Sequence, residues 1–210
     1  MWTSAEYNLL RRAIKESPCP SLKLAQVFWP QVYFYDKERE MFQSVEDNDE
    51  TVVAAANKMG KDFTAGAIAL TRSIIGAFDG GCRVVTTSVK DDHLRVLWGE
   101  IGRFVQTSAV PLRVEEGGPL VVNHRDIRFV VGGKVCQISY LRGMVSERGE
   151  GMAGHHARHT LGVIDEGSGV DDFVYTQMCT WAKKLLIFGN CNACSNFFFK
   201  AVEGGDILAV

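Results

Sequence analysis

A predicted strand–turn–helix around residues 54–62 (AAANKMGKD) constrains the fold of this chain most strongly. A short apolar run over residues 51–56 precedes the turn. Apolar residues then recur every three or four positions from Phe63 to Phe78, which predicts a helix with one buried face. A strand, a tight turn and a helix opening on Gly60 and Lys61 is how phosphate-binding loops are built, because N–H groups at a helix N-terminus bind anions.

This loop departs from the usual G-x-x-x-x-G-K-[ST] pattern at two positions. Ala55 replaces the first glycine, and Asp62 replaces the hydroxyl residue. Asp62 would offer Mg²⁺ a charged oxygen, and its charge would weaken nucleotide binding unless Lys58 offsets it. A carboxylate is also favoured as a cap at a helix N-terminus, so metal ligand and helix cap stay alternatives for Asp62.

A second stretch, LGVIDE (161–166), is an apolar strand that ends in two adjacent carboxylates. In a phosphate-loop ATPase the first carboxylate, here Asp165, would hold Mg²⁺, and the second, Glu166, would polarise the attacking water. The simpler alternative is a buried strand that runs out into a charged loop. The Gly60–Lys61 turn upstream favours the functional interpretation.

The rest of the chain alternates between predicted strands and helices. This pattern predicts an α/β fold with a mostly parallel sheet and helices on both faces. Residues 1–32 are predicted to form an N-terminal helical segment. Its first helix begins at a capping box of Thr3 and Glu6 and ends at Pro18 and Pro20. The next predicted elements are a helix from 36 to 45, a strand at 82–87 and a helix from 91 with one apolar face. A hairpin of 127–131 with 135–140, joined across Gly132–Gly133, a helix at 173–181 and a strand at 185–189 that ends at Asn190 follow.

Composition narrows the function classes. With 210 residues, 46% hydrophobic and 23% charged, the chain can bury a full core as one domain. Its net charge of −2 leaves only a local basic patch for nucleic-acid binding. No apolar run reaches the roughly 20 residues of a membrane span, and no membrane partner is expected.

The cysteines and histidines give weaker evidence for a metal or phosphate site. The six cysteines are predicted to be reduced thiols, and Cys191-x-x-Cys194 is only half of a four-cysteine zinc site. His155, His156 and His159 precede the carboxylate strand. A solvated loop is the favoured interpretation of these histidines, ahead of a loop that reaches phosphate or DNA near the site.

Six short stretches occur in an order that resembles the ATPase domain of the large terminase subunit, the motor that packages DNA into the heads of tailed phages. They are YDKERE (35–40), NKMGKD (57–62), VLWGEI (96–101), GHHA (154–157), VIDE (163–166) and FGN (188–190). The resemblance extends over roughly residues 33–205, which makes residues 33–210 the expected ATPase domain.

The resemblance implies a P-loop NTPase of the additional-strand catalytic-glutamate type, with an extra strand between the phosphate-loop strand and the carboxylate strand. It implies ATP and Mg²⁺ as cofactors. Lys61 would bind the β- and γ-phosphates, Glu166 would be the catalytic base, and Asn190 would report the state of the γ-phosphate. The cofactor-binding set would be Asn57, Lys58, Met59, Gly60, Lys61, Asp62 and Glu38, with Asp165 and Asp62 on the metal.

The family also places an arginine at the γ-phosphate, and that role would fall to Arg142, Arg148 or a neighbouring subunit. Glu38 stands in the segment that would contact adenine, at a position where the family often has glutamine. A carboxylate there can accept from the adenine amino group but cannot donate to N7.

The resemblance further implies partners and a location. These are double-stranded DNA, the portal, the small terminase subunit and further copies in a homo-oligomeric ring on the portal, in the host cytoplasm. The chain ends too soon after Glu166 for a nuclease domain, so that domain is expected to be absent and to lie on a separate chain, or the sequence is a fragment.

Three other classes remain open from the sequence. A helicase-like ATPase acting on nucleic acid shares the Asp-Glu strand but needs a second motor domain. A small-molecule kinase rarely needs the glutamate and usually has an arginine-rich lid. A degenerate module that binds nucleotide without hydrolysis is favoured by Ala55 and Asp62.

Overall fold

The computed structural model describes residues 2, 8, 10–12, 16–56, 59–145, 151–192, 195–205 and 208–209. The strands in these ranges are β1 (Glu50–Ala54), β2 (Cys82–Thr87), β3 (Leu120–Asn123), β4 (Asp126–Val131), β5 (Lys134–Gly143), β6 (His159–Asp165), β7 (Lys184–Gly189) and β8 (Leu208–Ala209). The helices are α1 (Pro20–Phe28), α2 (Asp36–Asp47), α3 (Lys61–Phe78), α4 (Asp91–Thr107), α5 (Asp172–Cys179) and α6 (Phe197–Gly204).

The strands form one mixed sheet in the order β3-β4-β5-β2-β6-β7-β1-β8. The six strands from β5 to β8 in that order are parallel, whereas β3 and β4 are antiparallel to their neighbours. Strand β7 lies between β1 and β6 and pairs with both. The predicted α/β class and the additional strand between the phosphate-loop strand and the carboxylate strand are therefore confirmed.

Both faces of the central strands are buried, as expected for parallel strands covered by helices. Val53, Val84 and Val163 face the core that includes α1 to α4. The alternate residues Val52, Val85 and Ile164 face a second core that includes α5 and α6. Because each fully buried aliphatic side chain contributes about 1.5–3 kcal/mol, these two cores hold the sheet between its helices.

Helix α3 is the central element of the first core, where it packs against α1, α2, α4 and the sheet. Its small residues allow this close approach: a Cβ on Gly66 would lie 3.4 Å from Ile101 of α4. The predicted buried face is present, with Ala67, Leu70 and Ile74 fully enclosed. The packing fixes the direction in which the N-terminus of α3 points.

Some elements differ from the sequence prediction. Pro20 begins α1 instead of ending a helix, since proline suits the first helical turn, where its missing N–H is not needed. Strand β3 and helix α6 were not predicted. Phe199 lies on the outer side of α6 and is 37% exposed, whereas its neighbours Phe197 and Phe198 are buried. The predicted capping box of Thr3 and Glu6 lies outside the described residues.

No helix in the described ranges is both long enough and apolar enough to cross a bilayer.

Candidate active site

The parallel strands bring four chain segments to one edge of the sheet. Because β1, β2, β6 and β7 are adjacent and parallel, the residues that follow them share the carboxyl edge, where α/β proteins bind ligands. Lys61 begins α3 after β1, Ser88 follows β2, Glu166 follows β6 and Asn190 follows β7.

Lys61 joins two of these segments directly. Its ammonium donates to Glu166 Oε1 at 3.2 Å and to Asn190 Oδ1 at 3.0 Å, and the lysine is only 7% exposed. Gly60 before it adopts a left-handed conformation with φ of 75°, which costs glycine least and turns the chain into α3. The three residues predicted to be catalytic are thus in contact, although the role of each stays a prediction.

Asp165 lies beneath this contact and is almost fully buried, with 2% of its surface exposed. Burial is the main cause that raises its pKa to about 7, followed by the negative charges of Asp62 and Glu166. Among the described residues, Asp165 Oδ1 and the hydroxyl of Ser88 make no hydrogen bond of good geometry, although Ser88 lies close enough to Asp165 to lower its pKa slightly. Two buried oxygens in need of a partner are suited to a hard cation such as Mg²⁺ or to its water ligands.

Asp62 contributes to the same negative region. Burial and the charges of Glu166 and Glu100 raise its pKa, while Lys61 acts in the opposite direction. The helix N-cap is Gly60, and no side chain caps it. Asp62 therefore lies close enough to Asp165 and Glu166 for their charges to interact, which fits a metal ligand as well as a carboxylate at a helix N-terminus.

Glu166 has an unusual backbone conformation. Among the described residues it alone has a positive φ without being glycine, at 52°. Such a conformation costs about 1–3 kcal/mol and persists only where the surroundings enforce it. Gly189 at the end of β7 is part of these surroundings, because a Cβ there would lie 3.0 Å from the backbone nitrogen of Gly167.

Asn196, which the sequence analysis did not select, holds the loop after Glu166. Its side-chain amide donates to the carbonyls of Gly167 and Val170, each at 2.8 Å, and its oxygen caps the N-terminus of α6. Ser88 was also missed. Ser88 could have been selected from its position at the end of a predicted strand. Asn196 could not, because its position is defined by α6, which the sequence did not predict.

The start of α2 closes one side of the phosphate loop. Glu38 accepts from the N–H of Tyr35 at 2.9 Å, and its other oxygen lies 2.9 Å from where a Cβ on Gly60 would be. The exposed ring of Tyr35 is next to it. The structure thus places Glu38 beside the loop, as the adenine assignment requires. Met59 next to Gly60 is half exposed, whereas Asn57 and Lys58 lie outside the described residues.

Several candidates are not near this edge. His159 begins β6 at the opposite edge and contacts Asp79 at 2.8 Å. His155 is buried between Tyr140 and Trp181. The favoured interpretation of a solvated loop is therefore wrong for buried His155 and for His159, which lies in β6, whereas exposed His156 agrees with it.

The arginine candidates for the γ-phosphate are not supported within the described residues. Arg142 donates from Nε to Asp126 at 3.0 Å and stacks on Tyr140, so it is held away from Lys61. Arg148 lies outside the described residues, as does Cys194 of the half zinc motif.

Metal geometry and cavity geometry do not by themselves mark the carboxyl edge among the described residues. The described residues contain no group of three or more His, Cys, Asp or Glu side chains arranged to hold a metal ion by themselves. Mg²⁺ is usually held by one or two carboxylates plus phosphate oxygens and water. A groove of about 950 Å³ lies instead at the amino edge of β1, beside Asn48, Tyr175 and Lys200, and contains none of the predicted site residues.

The strand order and the lysine, aspartate and glutamate at the carboxyl edge define the class as a P-loop NTPase fold of the additional-strand type. Solved structures support this class. The ATPase domain of the large terminase of Thermus phage P74-26 superposes with a TM-score of 0.58 at 14% identity over 81% of this chain and 69% of that one. An arginine-to-alanine variant of the same domain gives 0.60 at 14% identity, over 81% and 70%.

The large terminase of bacteriophage HK97 is also similar, with a TM-score of 0.55 at 13% identity, over 85% of this chain. This chain spans only 39% of the HK97 protein. No protein-family model and no curated protein sequence matches the chain. The structure is thus similar to large terminase ATPase domains, and at these identities the similarity establishes the fold.

Proposed function

We propose that this chain hydrolyses ATP with Mg²⁺ as the motor domain of a phage large terminase, and that hydrolysis drives viral DNA packaging. The observation that carries the proposal is the contact of the Lys61 ammonium with both Glu166 and Asn190 beside buried Asp165. The similarity of the fold to terminase ATPase domains supports the choice of motor.

In this proposal Lys61 exchanges partners when ATP binds. An ammonium has three donors, and a phosphate oxygen is a stronger acceptor for it than a neutral amide. Moving towards phosphate would release Glu166 to accept a proton from water and would release the Asn190 side chain. A change of contact at the end of β7 would then report that the γ-phosphate is present.

Asp165 would hold Mg²⁺, with Ser88 and Asp62 as the nearest further oxygens. A bound Mg²⁺ supplies positive charge that stabilises the phosphate oxygens as the bond to the γ-phosphate breaks. The raised pKa of Asp165 fits this role, because a buried carboxylate with few hydrogen bonds gains most from a cation. Ordering of the Glu166 backbone by Gly189 and Asn196 would keep the base on the attacking side.

The proposal takes the γ-phosphate arginine from a neighbouring subunit in a homo-oligomeric ring. Arg142 lies on β5, which is separated from β1 and the start of α3 by the strands β2, β6 and β7. Arginines delivered by a neighbour raise turnover ~10³- to 10⁵-fold in related phosphoryl-transfer enzymes, so the isolated chain should hydrolyse ATP slowly. The portal, the small terminase subunit, double-stranded DNA and a nuclease on a separate chain complete the proposed assembly, in the host cytoplasm.

One observation favours a second candidate, a module that binds nucleotide without hydrolysing it. Asp62 adds a negative charge beside Asp165 at a position where P-loops carry a neutral hydroxyl. Without the hydroxyl that usually binds Mg²⁺, the site would hold a nucleotide without placing the metal for hydrolysis.

Calorimetry with Mg²⁺-ATP and a phosphate-release assay with and without double-stranded DNA separate the candidates. The motor requires binding, slow release and faster release with DNA. Binding without any release, also at high protein concentration and with DNA, would establish the second candidate. Absence of Mg²⁺-ATP binding would overturn both.

A further inference from the structure

Three arginines surround one tyrosine on the sheet, away from the candidate active site. The guanidinium carbons of Arg83, Arg128 and Arg142 lie 5.4, 5.1 and 4.9 Å from the ring centre of Tyr140. These distances are within the range of cation–π contacts. We call these four residues the arginine–tyrosine cluster.

Strand register makes the cluster a row across three strands. Tyr140 of β5 is paired with Arg83 of β2 on one side and with Arg128 of β4 on the other. Arg142 follows two positions along β5 and therefore faces the same side. Neighbouring strands are about 4.8 Å apart, so the row presents cationic groups over about 10 Å of sheet.

The Tyr140 ring is held firmly in place. Its hydroxyl contacts Nδ1 of His155, and the other nitrogen of that histidine, Nε2, lies 2.9 Å from the carbonyl of Gly151. The histidine ring also packs edge-on against Trp181, with 5.0 Å between ring centres. The arginines thus stack on a fixed surface, which lowers the entropy lost when they bind a ligand.

Positive charge exceeds negative charge at this place among the described residues. Asp126 accepts from Nε of Arg128 at 2.7 Å and from Nε of Arg142 at 3.0 Å, so one carboxylate serves two arginines. Arg83 donates to the carbonyl of Gly154 at 3.2 Å, and its buried Nε has no partner in the described ranges. Three guanidinium groups with one carboxylate are a clear local exception in a chain of net charge −2.

The cluster also lies where the helices leave the sheet open. It shares the face of Val85, and on that face α5 and α6 pack over β6, β7 and β1. The side chains of Arg128 and Arg142 keep 24% and 34% of their surface exposed. Along the strands Arg83 lies about 17 Å from the carboxyl edge, since it precedes Ser88 by five residues, and Arg142 lies about 10 Å from that edge, since it pairs with Val85.

We propose that the arginine–tyrosine cluster binds the phosphate backbone of double-stranded DNA. Guanidinium groups pair with phosphate through two parallel N–H donors, and arginine is the residue that suits this geometry best. A row of such groups on a flat strand surface matches a repeating phosphate chain better than a single small anion. The choice of DNA as the polymer rests on the proposed function, whereas the phosphate-binding chemistry rests on the cluster alone.

The test measures binding of a fluorescent DNA duplex by anisotropy, without nucleotide, at salt concentrations from about 50 to 200 mM. Each arginine that neutralises a phosphate contributes about 0.9 to the slope of log affinity against log salt. Arg128→Gln and Arg142→Gln should each lower that slope by about 0.9 and weaken binding about eightfold at 0.1 M salt. Arg128→Lys keeps the charge and should keep most of the slope.

Arg95→Gln is the matched control, since this exposed arginine on α4 pairs with Asp91 and Asp92 and lies outside the cluster. It should leave affinity and slope unchanged. Thermal unfolding of each variant shows that the fold is intact. Wild-type protein that binds no duplex at 50 mM salt, or cluster variants that match Arg95→Gln, would overturn the proposal.

ATP hydrolysis without DNA is measured in parallel, and the cluster variants should retain it. Loss of duplex binding with intact hydrolysis supports the cluster. Duplex binding by a chain that neither binds nor hydrolyses ATP would overturn the proposed function and retain the phosphate site. Equal affinity for single-stranded RNA and duplex DNA, with the same variant effects, would overturn the assignment to DNA.

Discussion

Charged groups are paired at the amino edge of the parallel sheet and are incompletely paired at its carboxyl edge. At the amino edge Arg72 is paired with Glu46, and Lys184 donates to the carbonyls of Glu46 and Asn48 at 2.9 and 2.7 Å. At the carboxyl edge Asp165 has a buried oxygen without a partner in the described ranges, and its pKa is raised to about 7.

The contrast shows which charged groups stabilise the folded protein and which destabilise it. Pairs at the amino edge satisfy one another and tie helices to the starts of strands. At the carboxyl edge, burial of like charges and the left-handed Glu166 cost free energy in the protein alone. A site that is unfavourable without its ligand is suited to bind a cation and phosphates, because the ligand removes the cost.

The largest effect on the carboxyl edge should come from Lys61→Met. This change removes the cation that contacts Glu166 and Asn190 and should lower Mg²⁺-ATP affinity about 100-fold, since a charged hydrogen bond contributes about 1.5–3 kcal/mol. Calorimetry measures the affinity. Lys23→Met, at an exposed lysine of α1, is the control and should bind ATP like wild type. Equal affinity of the Lys61 variant would remove the phosphate role from this lysine.

The amino edge should respond in stability and not in nucleotide binding. Glu46→Ala leaves half-buried Arg72 without its carboxylate and also removes the acceptor of the Ser21 hydroxyl, so unfolding should be easier by about 2 kcal/mol. Urea denaturation measures the change. Glu40→Ala, at an exposed ion pair with Lys37, should cost at most about 0.5 kcal/mol. A loss of ATP affinity in Glu46→Ala would contradict the separation of the two edges.

A smaller and pH-dependent effect is expected for Asp165→Asn. Since the pKa of Asp165 is about 7 when folded and 3.8 as the reference value, the folded protein holds a proton that the unfolded chain releases between pH 4 and 7. Its stability therefore falls as pH rises through that window and stays low above pH 7.

The variant removes this loss. Without Mg²⁺, Asp165→Asn should match wild type near pH 4 and exceed its free energy of unfolding by about 1–3 kcal/mol at pH 8. The same variant should bind Mg²⁺-ATP more weakly. Equal pH dependence of the two proteins in urea denaturation would contradict a buried, charge-crowded Asp165.

Periodicity and strand–helix alternation predicted most of the fold. The spacing in α3 and α4 specified their buried faces, and the Gly132–Gly133 turn specified the hairpin of β4 and β5, with positive φ at both glycines. The prediction failed at a proline, because proline can both end a helix and begin one. Pro20 was expected to end a helix, but it begins α1, where its missing N–H is not needed.

The sequence predicted which residues form the site but not how much free energy their arrangement costs. Motif spacing selected Lys61 and Glu166, and parallel strands brought Asn190 to the same edge. The lack of a partner for Asp165 Oδ1, the left-handed Glu166 and the loop contacts of Asn196 depend on packing between β6, β7 and α6. Such packing is set by distant residues, so no local pattern encodes it.

The most direct test of the motor assignment is Glu166→Gln. If Glu166 polarises the attacking water, it acts in the transition state, so the variant should bind Mg²⁺-ATP with wild-type affinity and release phosphate at least about 100-fold more slowly. Calorimetry and single-turnover phosphate release on the same preparation, with double-stranded DNA present, measure both quantities. Retained binding with lost turnover is the predicted result. Undiminished turnover in Glu166→Gln would contradict the catalytic assignment and the proposed motor.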